Sequence, residues 1–243
     1  MADQQCWAIS SICRFGWLYR SLLAKSTSRR TLAVWGPGDQ KTHRSLTAST
    51  LTKDDNMDFA AKFESGLGYS GFLTKHGTAD QQQRWAAVHG QVNLAAAQRD
   101  VLSGFVRKMK VFVVAGAWCG DCVNQCPIFD HFVAASKGTI DLRFFDRDQH
   151  SDLADALSIC GGQRVPSVLF LSEDDFVCGR AGDRTLAKYR NMAQTQLGAA
   201  CPTGIGGADQ SLLDQVTQEW LNEFERIQLM LRLSGRLRQL HND

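Results

Sequence analysis

No stretch of the 243-residue sequence is long and apolar enough to be expected to cross a bilayer. The most apolar N-terminal stretch, residues 6–23, is interrupted by Arg14 and Arg20 and lacks the apolar core and small-residue cleavage site of a secretory signal. Eight cysteines are too few for a disulfide scaffold in a chain of this length, and their local clustering favours a chemical role. We therefore expect a cytoplasmic, reducing location.

The chain also has little net charge, +2 at pH 7, and this value argues neither for nor against a nucleic-acid partner. The charge is unevenly distributed, because residues 1–53 hold eight Lys and Arg against two Asp and Glu. Serine, threonine, arginine and glycine dominate residues 1–56, and the apolar residues there do not recur at a regular helical or strand spacing. We predict a disordered tail or a spurious extension ahead of Met57, with an organelle transit peptide as the alternative. We expect neither nucleic acid nor a membrane as a partner.

The chain is organised around one short motif. An apolar run at residues 111–115 ends at Gly116 and is followed by Trp118, Cys119 and Cys122, and then by apolar residues at helical spacing. A buried strand that turns directly into a helix places Cys119 at the helix N-terminus, where unpaired N–H groups and the helix dipole stabilise a thiolate. Two cysteines at this spacing can also be half of a zinc site. The position after a strand, with a tryptophan in front, favours redox chemistry.

The remaining pattern predicts helices and strands in alternation. Before the motif, helical composition covers residues 59–67 and 79–88, separated by a glycine-rich break at 66–71, and a third helix covers residues 93–109, capped by Asn93. After the motif come a helix at 122–136, a strand at 140–146, a short helix at 151–158 capped by Ser151, a hairpin of strands at 168–171 and 176–180, and a helix at 184–197. This order predicts an α/β sheet plan.

The C-terminal end predicts a long amphipathic helix over residues 212–240. Its apolar side chains recur at three- or four-residue steps: Leu213, Val216, Trp220, Phe224, Ile227 and Leu231. We interpret this stripe as core packing, with a dimer seam or a partner-docking face as the alternative. The predicted organisation is therefore a helical lead-in at 57–107, an α/β domain at 108–197, a linker at 198–209 and a C-terminal helix at 210–243.

Four features in order resemble the thioredoxin-like superfamily, over roughly residues 108–197. They are Trp118-Cys119-Gly120-Asp121-Cys122 as the redox motif, Pro127 in the active-site helix, Val165-Pro166-Ser167 as the cis-proline turn, and Gly182 after the hairpin. The motif, with the Arg147-Asp148 and Gly161–Pro166 runs, is closer to bacterial thioredoxin-family proteins with a Trp-Cys-Gly-Asp-Cys signature than to thioredoxin itself. The resemblance implies a thioredoxin-like fold, a central mixed sheet flanked by helices, with added N-terminal and C-terminal helices.

The resemblance also implies an activity, that of a protein-disulfide reductase that exchanges electrons with protein or small-thiol disulfides and is recharged by a reductase. Cys119 would be the nucleophile and Cys122 the resolving thiol. Trp118, Gly120, Asp121, Val165 and Pro166 would shape the site and bind substrate, and no cofactor or metal is expected. The alternatives are a redox-sensing or adaptor module, or a cysteine-rich metal-binding module, without turnover.

Two departures from the family pattern and two extra thiols stand out. Val113 occupies the position where thioredoxin has a buried aspartate that accepts a proton, and Asp121 replaces the usual proline, with an exposed charge expected to oppose thiolate formation weakly. Cys126 and Cys160 are possible accessory thiols, in a second disulfide, a thiol relay or a metal site with the motif cysteines. The alternative is that both are buried and inert.

Overall fold

The computed structural model describes residues 57–197 and 211–243. The predictions for residues 1–56 and for the linker at 198–209 lie outside these described residues. The helices are α1 (Phe59–Glu64), α2 (Tyr69–His76), α3 (Ala79–His89), α4 (Ala96–Ser103), α5 (Gly120–Ala135), α6 (Ser151–Ala156), α7 (Leu186–Leu197), α8 (Leu212–Leu233) and α9 (Gly235–His241). The strands are β1 (Met109–Ala115), β2 (Ile140–Asp146), β3 (Ser167–Ser172) and β4 (Val177–Gly182).

The four strands form one mixed sheet in the order β2-β1-β3-β4. β1 pairs with β2 in parallel and with β3 antiparallel, and β4 pairs antiparallel with β3 at the edge. β1 lies at the centre and is buried along nearly its whole length, which explains why its sequence is a continuous apolar run instead of an alternating one. The predicted α/β class, with a mixed central sheet flanked by helices, is confirmed.

The two faces of the sheet are covered by different helices. On one face Phe112 packs against Phe59 and Phe63 of α1 and stacks on Phe145, with ring centroids 5.0 Å apart in the stacked pair. On the other face Phe144, the β2 partner of Val113, contacts rings of α2 and α3. Successive residues of a strand point to opposite faces, so Phe112 and Val113 face opposite sides of the sheet. The helix of the two cysteines, α5, contacts α3 and therefore lies on the same face as α2 and α3.

The C-terminal helix α8 packs onto this same face. Phe224 is fully buried and contacts Phe129 and Phe132 of α5 and Phe170 of β3. The Trp220 indole N–H donates to the Gln125 side-chain oxygen at 2.9 Å. The apolar stripe of α8 is thus part of the hydrophobic core of the chain, as the core-packing interpretation predicts.

Two predicted helices and one predicted break differ from the observed structure. The helix predicted at 93–109 is shorter, because Gly104 follows α4 and Met109 already pairs with Ile140 in the sheet. The glycine-rich break is also shorter than predicted, since α2 begins inside it at Tyr69. The long C-terminal helix is divided at Ser234, whose hydroxyl accepts a hydrogen bond from the Leu237 N–H and caps α9.

Two predicted helix caps are wrong. Asn93 does not cap α4, whose first turn is held by the Gln98 side chain accepting from the Ala95 N–H. Ser151 is the first residue of α6 and not its cap, which is His150. Among the described residues, no helix is long and apolar enough to span a membrane.

Candidate functional site

The site is built where β1 passes into α5. The backbone turns tightly, with the Cys119 N–H donating to the Gly116 carbonyl at 3.0 Å. The Trp118 ring lies against Gly116 so closely that a Cβ there would stand 2.6 Å from a ring carbon. Only glycine therefore allows the tryptophan to fold back beside the cysteine. Cys119 is the N-cap of α5, as the sequence predicts.

The two motif cysteines occupy different environments. Cys119 is half-buried, whereas Cys122, one turn into α5, is fully buried. Both are thiols in this structure. The neighbouring Cys122 thiol, followed by partial burial, raises the pKa of Cys119, while the backbone N–H groups of Cys122 and Asp121 act to lower it. Burial raises the pKa of Cys122 well above its usual range. Of the two cysteines, Cys119 is the one that has access to solvent.

The turn before β3 faces Cys119. The Val165–Pro166 peptide is cis, and the Cys119 Sγ lies 3.5 Å from the Val165 carbonyl oxygen, to which the thiol donates. The structure thus brings Val165 and Pro166 together with Cys119, although 46 residues separate the thiol from Val165. Gly120 has open space beyond its Cα, so the first residue of α5 leaves the approach to Cys119 unobstructed.

The expectation for Asp121 is wrong in one respect, since its carboxylate is neither exposed nor unpaired. Arg184 Nη2 lies 2.6 Å from one carboxylate oxygen, and Lys188 Nζ lies 3.9 Å from the other. These cations neutralise the negative charge beside Cys119. Asp121 therefore does not act on the thiol as an isolated charge.

Arg184 also joins a second carboxylate, that of Asp183, which is buried. Asp183 accepts hydrogen bonds from Arg184, Arg164 and the Tyr189 hydroxyl, the first two at 3.0 and 3.3 Å. Burial raises the pKa of Asp183, but these donors outweigh it, so the pKa lies below its usual range. Sequence reasoning missed this network. The only local signal was the pair of charges that follows Gly182.

Gln125 links the network to the C-terminal helix. Its amide donates to the Asp183 backbone carbonyl at 2.9 Å, and its oxygen accepts from Trp220. Gln125 is fully buried, so each of these bonds satisfies a group that has no access to water. α8 therefore supports the site helix through a polar contact as well as through apolar packing.

An aromatic and a cation form the exposed rim of the site. The Trp118 side chain is 44% exposed, and the Arg147 guanidinium lies 4.4 Å from its ring centroid. Arg147 also pairs with Asp148. Cation–π contact and packing on Gly116 together fix the ring beside Cys119.

The two extra thiols have separate positions. Cys126 is fully buried and lies four residues beyond Cys122 in α5. Cys160 is exposed on a tight turn with φ +51°. Within the described part of the chain, no group of three or more His, Cys, Asp or Glu side chains is arranged to hold a metal ion, so the four cysteines do not form the metal site considered above. The interpretation of both thiols as buried is wrong for Cys160.

A family model and one solved structure support the thioredoxin-like fold. A family model described as thioredoxin matches residues 69–187 and thus extends further toward the N-terminus than the resemblance over 108–197. A crystal structure of a protein of unknown function from Pseudomonas aeruginosa is 20% identical with a TM-score of 0.55, covering 70% of this chain and 96% of that chain. The crystal structure of an HIV epitope-scaffold protein is 22% identical with a TM-score of 0.48, covering 71% and 93%. No curated protein sequence matches the chain.

Proposed function

The chain is a member of the thioredoxin-like superfamily, and on this premise we propose that it is a thiol–disulfide oxidoreductase that acts through Cys119 and Cys122. One observation carries the proposal. A half-exposed thiol caps the site helix, stands three residues before a second, buried thiol, and faces the backbone carbonyl of Val165. This arrangement fits a nucleophile with its resolving partner.

The reaction would proceed in two exchanges. The Cys119 thiolate attacks one sulfur of a substrate disulfide, that S–S bond breaks, and the first substrate thiolate leaves and takes a proton from water. Cys122, as a thiolate, then attacks Cys119 Sγ, and the second substrate thiolate leaves in the same way. The substrate has gained two electrons, and the chain is left with a Cys119–Cys122 disulfide. A reductase or a small thiol must return the electrons.

The surroundings of Cys119 support a protein or peptide substrate. Trp118 offers a large exposed ring, and the turn at Val165 and Pro166 offers backbone groups with which an extended segment can pair. A reducing compartment such as the cytoplasm would keep the two cysteines as the dithiol that starts the reaction.

The test is insulin reduction together with trapping of mixed disulfides. We expect Cys119→Ser to abolish reduction, because no reachable thiolate remains in the motif. We expect Cys122→Ser to accumulate a mixed disulfide at Cys119, because the resolving thiol is absent. Cys178→Ser, which removes a thiol on β4, is the matched control and should retain activity.

Binding of partners without turnover by the wild-type chain would favour the redox-sensing or adaptor alternative. Equal residual turnover in Cys119→Ser and Cys122→Ser would contradict the assignment of roles.

A further inference from the structure

The exposed apolar side chains of the chain are unevenly placed. Ten large hydrophobic residues are exposed in the part of the chain that the structure describes, and three of them, Trp118, Leu186 and Tyr189, belong to the motif or to α7. The other seven come from the loop before β1, the β3–β4 hairpin, α8 and α9: Val106, Phe176, Val177, Leu229, Met230, Leu233 and Leu240. Single exposed apolar residues are ordinary, whereas a group of them marks an interaction surface.

The hairpin and the loop before β1 meet at one end of the sheet. β3 is antiparallel to β1, and its last residue, Ser172, pairs with Met109 at the start of β1. The hairpin turn that follows β3 therefore lies beside the loop that precedes β1, so Phe176 and Val106 are at the same end. Cys119 is at the opposite end, because it follows β1, a strand of seven residues that spans about 20 Å.

The C-terminal helices reach the end of the sheet where the hairpin turns. The Gln228 side-chain oxygen of α8 accepts a hydrogen bond from the Val106 N–H at 3.2 Å. The Arg236 guanidinium of α9 lies 4.4 Å from the Phe176 ring centroid. The exposed residue Leu229 directly follows Gln228 in α8. We call the seven exposed side chains at this end of the sheet the apolar patch.

The second half of α8 is apolar on two sides. Its inner stripe, which includes Phe224 and Ile227, is fully buried in the core. Leu229, Met230 and Leu233 are exposed on the outer side, and their spacing of three and four residues places them on one face of the helix. The outer side of a helix on a soluble protein is ordinarily polar. The core therefore accounts for only one of the two apolar faces of α8.

The charges of α8 decide which partner fits the outer face. Glu225 lies four residues before Leu229, and Arg232 lies three residues after it. Glu223 and Arg226 pair with each other at 2.9 Å, so together they add no net charge. Two parallel copies of α8 would place like charges side by side, whereas two antiparallel copies place the acidic side of each apolar face against the basic side of the other. The outer face is thus complementary to itself about a two-fold axis perpendicular to the helix.

We propose that the apolar patch is the interface of a homodimer in which the α8 helices of two copies pack antiparallel. Leu229 and Met230 lie near the two-fold axis, and Glu225 of each copy faces the partner's Arg232. Each contact occurs twice, and the assembly closes as a dimer. Both Cys119 thiols remain open, because they lie at the ends of the two sheets that point away from the interface.

The first test is the association of the full-length protein, measured by sedimentation equilibrium. We expect the mass to rise with concentration from the 26.9 kDa of one chain towards twice that value. A reducing agent is present so that disulfides between chains contribute nothing. A protein that stays monomeric at about 100 μM, where dimers with micromolar dissociation constants are populated, overturns the proposal. A dimer that forms only without the reducing agent overturns it as well.

The second test places a charge in the interface. Leu229→Asp should raise the dissociation constant of the dimer by at least about tenfold, because the carboxylate would be buried without a partner. Leu186→Asp is the matched control, since Leu186 is similarly exposed, 56% against 50% for Leu229, but lies at the start of α7 outside the patch. It should leave association unchanged. Unchanged association in Leu229→Asp, or equal weakening in both variants, overturns the proposal.

Two readouts separate dimerisation from folding and from the proposed function. At dilute concentrations, where the protein is monomeric and the patch is exposed, Leu229→Asp should unfold in urea at the wild-type midpoint. Its rate of insulin reduction per chain should equal that of the wild type, because Leu229 and Cys119 lie at opposite ends of the sheet. Weaker association that is accompanied by an equally destabilised monomer overturns the assignment of Leu229 to the interface.

Charge reversal tests the antiparallel direction. Glu225→Lys and Arg232→Glu each create two like-charge contacts in the symmetric dimer, so each should weaken association by about fivefold. The double variant restores opposite charges across the interface and should associate as tightly as the wild type. A parallel pair gives no such recovery, because each residue there faces its own counterpart. Failure of the double variant to recover overturns the antiparallel dimer.

Discussion

The two cysteines of the motif differ in the polarity of their surroundings. In front of Cys119, Asp121 and Asp183 are held by Arg184 and its neighbouring donors. Behind Cys122 the surroundings are mostly apolar, formed by the sheet and by the rings of α2, α3 and α8.

Cys119 and Cys122 are three residues apart in the sequence, yet one lies beside paired charges and the other in apolar surroundings. Charges in front compensate one another, so they position the site and act weakly on Cys119. The mostly apolar surroundings behind Cys122 supply no such compensating charges, so a polar or charged group introduced there would act on Cys122 in a medium of low dielectric constant. The following substitutions test that contrast.

The largest effect, a loss of stability, is expected from a substitution in the apolar packing behind Cys122. Phe224→Ala removes a fully buried ring that contacts α5 and β3, and should lower the free energy of unfolding by about 3–5 kcal/mol, as for other core phenylalanines. Urea unfolding measures the loss. Leu233→Ala on the same helix is the control, because that side chain is 78% exposed and its removal should change stability by less than about 0.5 kcal/mol. Equal losses in the two variants would mean that α8 is not part of the core in solution.

A smaller loss of stability is expected from a substitution in the charged network near Cys119. Asp183→Asn removes the charge that holds Arg184 and Tyr189, and should cost about 2 kcal/mol at pH 7, the typical value for hydrogen bonds to a charged group. The pKa of Asp183 is depressed in the folded state, so its stabilisation is complete above the unfolded aspartate pKa of about 3.9 and is lost as the pH falls through the folded pKa.

Thermal unfolding from pH 7 down to about pH 3 measures this dependence. The difference between wild type and Asp183→Asn should therefore shrink below about pH 4. Asp148→Asn, at an exposed surface pair with Arg147, is the control, with a loss below about 1 kcal/mol. A difference that grows with acidity would contradict the sign of the Asp183 shift.

The smallest effect is expected at Asp121, although it is adjacent in sequence to Gly120 and lies between the two cysteines. Arg184 and Lys188 already balance its charge, so Asp121→Asn should change the rate of Cys119 alkylation at pH 7 by less than about threefold. The measurement is iodoacetamide labelling followed by mass spectrometry of the Cys119 peptide. A much larger acceleration would show that the carboxylate acts on the thiol despite its partners.

Local pattern predicted the elements whose signals lie within a few residues. β2 was predicted at 140–146 with its observed bounds, and α3 and α5 agree to within two residues, because periodicity and flanking glycines are local. The helix at 93–109 was wrong, since apolar residues at helical spacing continued through Phe105 to Met109. Pairing of Met109 with Ile140 and Ser172 overrode that spacing.

The sequence by itself determined the α/β plan and the position of Cys119 at the start of a helix, because a strand that turns directly into a helix needs only neighbouring residues to specify it. The tertiary structure alone decided which distant residues meet at the helix that carries the cysteines. Trp220 reaches Gln125 across 95 residues, and Gln125 in turn reaches the Asp183 carbonyl across 58 residues. Such contacts depend on how distant segments cross, and the physical reason they escape a reading of the sequence is that no residue near either partner carries a signal for the other.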